Sequence, residues 1–170
     1  MDAITRALLE IRARLLSPGA PFELTEVEVG GQKLPAFRHA KATLPELINA
    51  GRAHGEKPFI VYQGEVWSFA RVFAEADAVA WALKERFGVE PGDRVAIAMR
   101  NRPEWVVAFL GVVLAGAVPA PINSFGLRDE LLWAFGAVQP KVLFLDADRL
   151  ERLGEEWRSL GAEVVVADSD

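Results

Sequence analysis

A chain of 170 residues with 51% hydrophobic and 25% charged side chains has the length of one ordinary domain and enough apolar mass for a core, which excludes a mostly disordered polymer. Its 19 basic and 24 acidic side chains leave a net charge of -5, so no general basic surface exists to displace counterions, and no nucleic-acid partner is expected. The absence of cysteine excludes a disulfide framework and any thiolate metal site, and it fits the reducing setting of the cytoplasm.

In chain order, Ile4, Leu8, Ile11 and Leu15 recur at helical spacing and predict an amphipathic helix that Ser17, Pro18 and Gly19 stop. Acidic Asp2 and Glu10 within this stretch, without a continuous apolar run before a small-residue cleavage site, argue against a signal peptide. Val27 and Val29 alternate with glutamates before Gly30 and Gly31, and residues 34–37 follow, the pattern of a hairpin whose second strand carries Pro35 and therefore lies at an edge. At "TLPEL", Thr43 and Glu46 have the spacing of a capping box, predicting a short helix that runs to Gly51 or Gly55. Residues 59–62 and 66–69 flank Gln63, Gly64 and Glu65 as a second hairpin, and Ser68 is placed to cap the helix beyond it.

That next helix lines up Val72, Phe73, Ala76, Val79, Ala80, Leu83 and Phe87 on one side and ends at Gly88. "RVAIAM", residues 94–99, has no polar alternation and predicts a strand covered on both faces. Asn101 and Glu104 repeat the capping spacing and open a helix ending at Gly116. The most apolar run, residues 105–118, is broken by Gly111 and Gly116 and falls short of the about 20 residues of a bilayer span. It reads as a buried core helix, and no transmembrane segment is expected. Residues 117–122 re-enter a sheet near an edge or bulge, because their prolines lack ladder donors. Residues 127–138 form a helix, "KVLFLD" a strand, 148–160 a helix and "AEVVVAD" a last strand.

From residue 69 onward helix and strand alternate strictly. The fold class is therefore α/β, a doubly wound, mostly parallel sheet with helices on both faces, preceded by an amino-terminal helix and hairpins. The one expected boundary separates residues 1–42, an extension able to dock onto other domains or a second copy through the stripe Ile4, Leu8, Ile11 and Leu15, from the α/β region 43–170.

Open parallel sheets bind ligands beyond the carboxyl ends of their strands. The candidate substrate-side loops are therefore Arg100, Asn101 and Arg102 after one strand and Asn123, Ser124 and Phe125 after the next. Asn101 also has a plain role as a helix cap, and the two arginines as solvated charge. Neither "SPGAP" nor "VGGQK" makes a phosphate loop in a strand-to-helix setting. His39 and His54 lack the neighbours of a zinc site, and no "GxSxG" elbow is present. No catalytic, cofactor-binding or metal-ligating residue is nominated. The tryptophans, Trp67, Trp81, Trp105, Trp133 and Trp157, are distributed among separate elements, as packing or interface residues.

Three stretches resemble the amino-terminal part of the adenylate-forming acyl-CoA synthetase and AMP-dependent ligase family, most closely its fatty-acid branch. "WSFARVFAEADAVAWAL" resembles the family's Thr-Tyr-x-Glu-Leu helix opening, "GDRVAIAMRNRPEWVVAFLGVVLAGAVPAPIN" its strand-helix-strand signature, and "QPKVLFLD" the strand after it. Phe69 and Arg71 depart from the first pattern and leave the capping box at Ser68 without its glutamate. The resemblance implies ATP, magnesium and coenzyme A as cofactors of the parent enzyme, and a carboxylic acid as substrate. That acid becomes an acyl-adenylate with loss of pyrophosphate, and then a thioester. In the family the charge on the phosphates is met by a Ser/Thr/Gly-rich loop and by a lysine of a mobile carboxyl-terminal domain. Residue 170 arrives before any such loop, so the expectation is an inactive fragment whose partners are missing downstream domains, with no cofactor bound tightly by this chain alone. The alternatives are a self-contained flavodoxin-like binding or signalling module and an interacting scaffold whose first 42 residues dock a second copy, forming a homo-oligomer, or the missing domains.

Overall fold

The computed structural model describes residues 2–167. The chain divides into two compact units, Met1–Thr43 and Leu44–Asp170.

In the first unit, α1 (Ala3–Leu16) is capped by Asp2, whose carboxylate accepts the Thr5 N–H at 2.8 Å, and no residue of the helix is buried. Strands β1 (Leu24–Val29) and β2 (Gln32–Phe37) form the expected antiparallel hairpin. Gly30 and Gly31 both take positive φ, +57° and +77°, the tight turn that matches strand twist. Glu23 fastens the approach to β1. It accepts the Gly19 N–H at 2.8 Å and pairs with Arg38, and the amide first, then the arginine, hold its carboxyl below the ordinary value.

The second unit opens with α2 (Leu44–Asn49), which tightens into a 3-10 turn over Ala50–His54, and with the hairpin β3 (Pro58–Tyr62) and β4 (Glu65–Ser68). The hairpin turn is Gln63–Gly64 alone, both at positive φ, so Glu65 belongs to the strand. Phe69 likewise leaves the expected strand and begins α3 (Phe69–Glu85). Ser68 caps this helix by accepting the Arg71 N–H at 3.2 Å, and the Arg71 guanidinium lies 3.6 Å over the Trp67 ring. Phe87, expected on the helix face, falls beyond its end.

From there β5 (Arg94–Ala98), α4 (Pro103–Leu114), β6 (Val118–Pro121), α5 (Arg128–Val138), β7 (Val142–Asp146), α6 (Ala147–Leu153) and β8 (Glu163–Ala167) follow in strict alternation. The strands are all parallel and stand in the order β6-β5-β7-β8. Strand periodicity of two sorts the core. Val95, Ile97, Val142 and Phe144 face α3 and α4, where they meet Ala80, Leu83, Ala108 and Val112. Ala96, Ala98, Leu143 and Leu145 face the opposite layer, where Leu131, Phe135 and Leu153 cover them. Each such large apolar side chain, removed from water, contributes about 1.5–3 kcal/mol. A third cluster around Trp67, Val72 and Leu110 joins the β3–β4 hairpin to the outer side of α3 and α4.

The edge strand β6 explains its own prolines. Val118 donates to Asp93 O at 2.8 Å and Ile122 to Ile97 O at 2.9 Å, so alternate residues turn their N–H groups toward β5. The residues between, Pro119 and Pro121, face away and have no N–H to offer, which leaves the open edge without donors for another strand.

Two expectations need correction. Asn101 does not cap α4: Pro103, with its preset φ, takes the first helical position, the cap position passes to Arg102, and Glu104 pairs with Arg102 instead. The helix expected over 148–160 begins earlier, behind the cap Asp146, and breaks at Gly154 (φ +58°), after which residues 154–160 are a 3-10 segment. Of the tryptophans, Trp67 is buried, and Trp105 stacks on Phe109 with centroids 5.4 Å apart, but Trp81 and Trp133 are exposed and pack no core.

Candidate functional site

The carboxyl ends of β5, β6 and β7 lie side by side because these strands run parallel in register, so the loops leaving them gather on one edge of the sheet. Asn101, Asn123, Ser124 and Phe125 line one hollow of about 320 Å³, floored by Met99 and Ile122. The structure thus brings one residue of the first candidate loop together with all three of the second.

The two arginines are committed elsewhere. Arg100 pairs with Asp148 at 2.9 Å, and Arg102, largely buried, pairs with Glu104 at 2.9 Å. Neither is a free cation waiting for an anion. Asn123 turns its side-chain oxygen inward to accept the Phe125 N–H at 3.1 Å, a local turn that leaves Phe125 81% exposed. The Ser124 carbonyl accepts from Arg149 Nε at 2.7 Å.

Sequence reading missed Asp146 and Arg149. They are the buried charged residues of the described chain, at 3% and 1% exposure, and they meet at 3.0 Å beneath these loops. The available signal was the spacing of Asp146 and Arg149 at the head of α6, an acidic cap followed three residues later by a basic side chain. It was hidden because the expected helix start, Asp148, lies one residue past the true one and leaves Asp146 in the strand.

A wider groove of about 630 Å³ runs between β6 and α5, from Pro121 and Ile122 to Glu130 and Trp133. Among the described residues no group of three or more His, Asp or Glu side chains gathers in the manner of a metal site. No helix of the described residues is long and apolar enough to cross a membrane.

Residues 48–170 match the model of the family described as AMP-binding enzyme. The chain belongs to this family. Among its relatives, long-chain fatty acid transport protein 1 of Bos taurus is 33% identical over 138 residues, which are 78% of this chain and 21% of that protein. The 4-hydroxybutyrate–CoA ligase 2 of Metallosphaera sedula is 27% identical over 147 residues, 81% of this chain and 27% of the relative. A solved structure of the anthranilate CoA ligase AuaEII in complex with anthranoyl-AMP superposes with a TM-score of 0.68 at 25% identity, covering 74% of this chain and 25% of that one. The chain therefore spans between about a fifth and about a quarter of these three proteins. The fold, a parallel α/β sheet layered by helices on both faces, is that of this family's amino-terminal region.

ATP and coenzyme A go with the family. Phosphate binding by a doubly wound sheet uses backbone N–H groups at a helix start near the point where strand order reverses. Here the start of α6 at that point is capped by Asp146, which accepts the Arg149 N–H at 3.1 Å, so a phosphate would face a carboxylate. The residues of this sheet do not fit the nucleotide there.

Proposed function

We propose that this chain is the amino-terminal, substrate-side part of an ATP-dependent acyl-CoA synthetase that joins a fatty-acid-type carboxylate to AMP and then to coenzyme A in the cytoplasm. The observation that carries the reading is the family match over residues 48–170, supported by a relative at 25% identity whose structure holds an acyl-adenylate. The part played by this chain is structural: the sheet fixes the loops 99–102 and 122–126, and their hollow forms a piece of the wall against which the carboxylate's organic portion would lie. Asn101, Asn123, Ser124 and Phe125 are the residues assigned to that wall, and Arg100 and Arg102, paired with Asp148 and Glu104, are assigned to holding the first loop beside it. No proton transfer, metal binding or phosphate contact is assigned to any residue here.

Pyrophosphate release with a panel of straight-chain and aromatic carboxylates tests this, comparing the 170-residue chain with the protein made from the uninterrupted reading frame. Turnover is expected only from the latter, with straight-chain acids preferred. Turnover by the 170-residue chain would overturn the placement of the chemistry.

A second reading concerns residues 1–42 and rests on α1, whose apolar stripe of Ile4, Leu8 and Ile11 is exposed. It is proposed as a docking or self-association element. Sedimentation at rising concentration should show association that Leu8→Glu abolishes, and a concentration-independent monomer would remove the self-association role.

A further inference from the structure

The order β6-β5-β7-β8 reverses direction between β5 and β7: the chain steps from β5 to β6 on one side, then crosses back to lay β7 on the other. In doubly wound sheets the crevice beyond that reversal is where ligands sit. In this chain it is filled from within. Asp146, the last residue of β7, accepts the Arg100 N–H at 3.0 Å from the end of β5, and its two oxygens accept Arg149 Nη1 at 3.2 and 3.0 Å. The same guanidinium reaches the loop after β6 through Nε, at 2.7 Å from Ser124 O. One ion pair therefore touches the carboxyl ends of all three strands. Arg152 adds to it, donating to Gly126 O at 2.7 Å and to Ser124 O at 3.4 Å.

We infer that the Asp146–Arg149 pair takes the place of a ligand at the switch point of the sheet and acts as the positioning device for the 123–127 loop. The loop has little else to hold it. Phe125 and Leu127 are 81% and 71% exposed, so burial does not anchor them. Its own bonds are local: Phe125 and Gly126 donate to Asn123 at 3.1 and 3.2 Å, and Leu127 to Glu130 at 2.8 Å. The arginines are what tie its carbonyls to α6. A buried ion pair is a poor source of net stability, since desolvation consumes most of the attraction. Its return is geometry, because the planar guanidinium fork fixes the direction of each bond it makes. Arg149 is accordingly a positioning residue, acting on the substrate side through the carbonyl of Ser124.

The loop's ordering is independent of the proposed function; its effect on substrate rests on that reading. Hydrogen exchange over 123–127, with 94–98 as an internal control, tests the first in the protein made from the whole reading frame. Arg149→Lys keeps the charge beside Asp146 but loses the fork, and exchange over 123–127 should rise about tenfold, the scale of one charge-assisted hydrogen bond, with the control unchanged. If that variant fails to fold, Asp146→Asn, which keeps the cap acceptor but removes the charge that orients Arg149, decides, with an expected rise of about threefold. Unchanged exchange over 123–127 in a folded variant would overturn the inference. In pyrophosphate release, the KM for the carboxylate should rise about tenfold while kcat holds within about twofold, the pattern of lost uniform binding. An equal fall in kcat with no change in KM would overturn the positioning role. Absence of pyrophosphate release from the unaltered protein would defeat the proposed function instead, and the exchange result would still decide the clamp.

Discussion

The layer of α3 and α4 and the layer of α5 and α6 cover opposite faces of one sheet, yet different forces hold them. The first is closed by shape: at Gly111 the two helices come so near that an added Cβ would lie 2.5 Å from Val79 Cγ1 and 3.0 Å from the Ala76 carbonyl. The hairpin carrying Trp67 then seals its outer side. The second layer buries Leu131, Phe135 and Leu153 against the sheet but leaves Leu127 and Trp133 open, and it depends on the directed bonds of Arg149 and Arg152. Close packing makes the first layer a stiff platform. Polar bonding makes the second a place where position is set atom by atom, beside the loops assigned to substrate.

Breaking that contrast should cost most at the ion pair. Arg149→Met leaves the buried Asp146 carboxylate without its counter-charge, held only by the N–H groups of residues 100 and 149, and should lower stability to urea unfolding by about 3 kcal/mol. Asp146→Asn combined with Arg149→Met, which keeps an acceptor for both N–H groups but removes the charge, should recover part of the loss. A single substitution costing no more than its double would mean that the pair is not electrostatically coupled. Next comes the packed layer. Gly111→Ala should lose about 1–3 kcal/mol by overpacking, despite the better helix propensity of alanine, and Val79→Ala in the same chain should restore part of it. The open layer should respond in the opposite sense: Gly136, within α5, has nothing within 4 Å of an added Cβ, and Gly136→Ala should stabilise by about 0.5–1 kcal/mol in thermal unfolding.

The smallest effect lies at the amino end of the sheet, where Asp93 accepts the Glu90 N–H at 2.9 Å and the Lys141 ammonium at 2.9 Å. The amide first, then the lysine, hold the Asp93 carboxyl below its ordinary value. As pH falls the unfolded chain takes up this proton first, so the contribution is complete above the ordinary carboxylate range and is lost as pH drops through the lowered value. Stability curves of the parent and Asp93→Asn should therefore part slightly at neutral pH and converge in acid. Salt should shrink the gap, because the pair faces water. A gap as wide as that at Arg149 would erase the distinction between exposed and buried pairs.

Much of the architecture was legible because it rests on local signals. Uninterrupted apolar runs at 95–98 and 142–145, and the apolar face of α3, announce a sheet covered on both sides. The details that failed were those in which two local signals compete. Asn101 and Pro103 both mark a helix start, and the proline prevailed because its φ is already helical. Gly154 was read through as a helix interior, although at positive φ it ends α6.

By its own spacing the sequence determined the order of elements, the parallel class of the sheet and the proline-blocked edge, since each follows from periodicity or from a missing N–H. Only the tertiary structure decided that Arg100 and Arg102 are already paired, and that Asp146 and Arg149 meet the backbone of residues 100 and 124. Those partners lie 46 and 25 residues apart along the chain. No local pattern encodes such a meeting: it exists because parallel pairing in register brings three strand ends to one edge, where a buried charge must find every bond it needs.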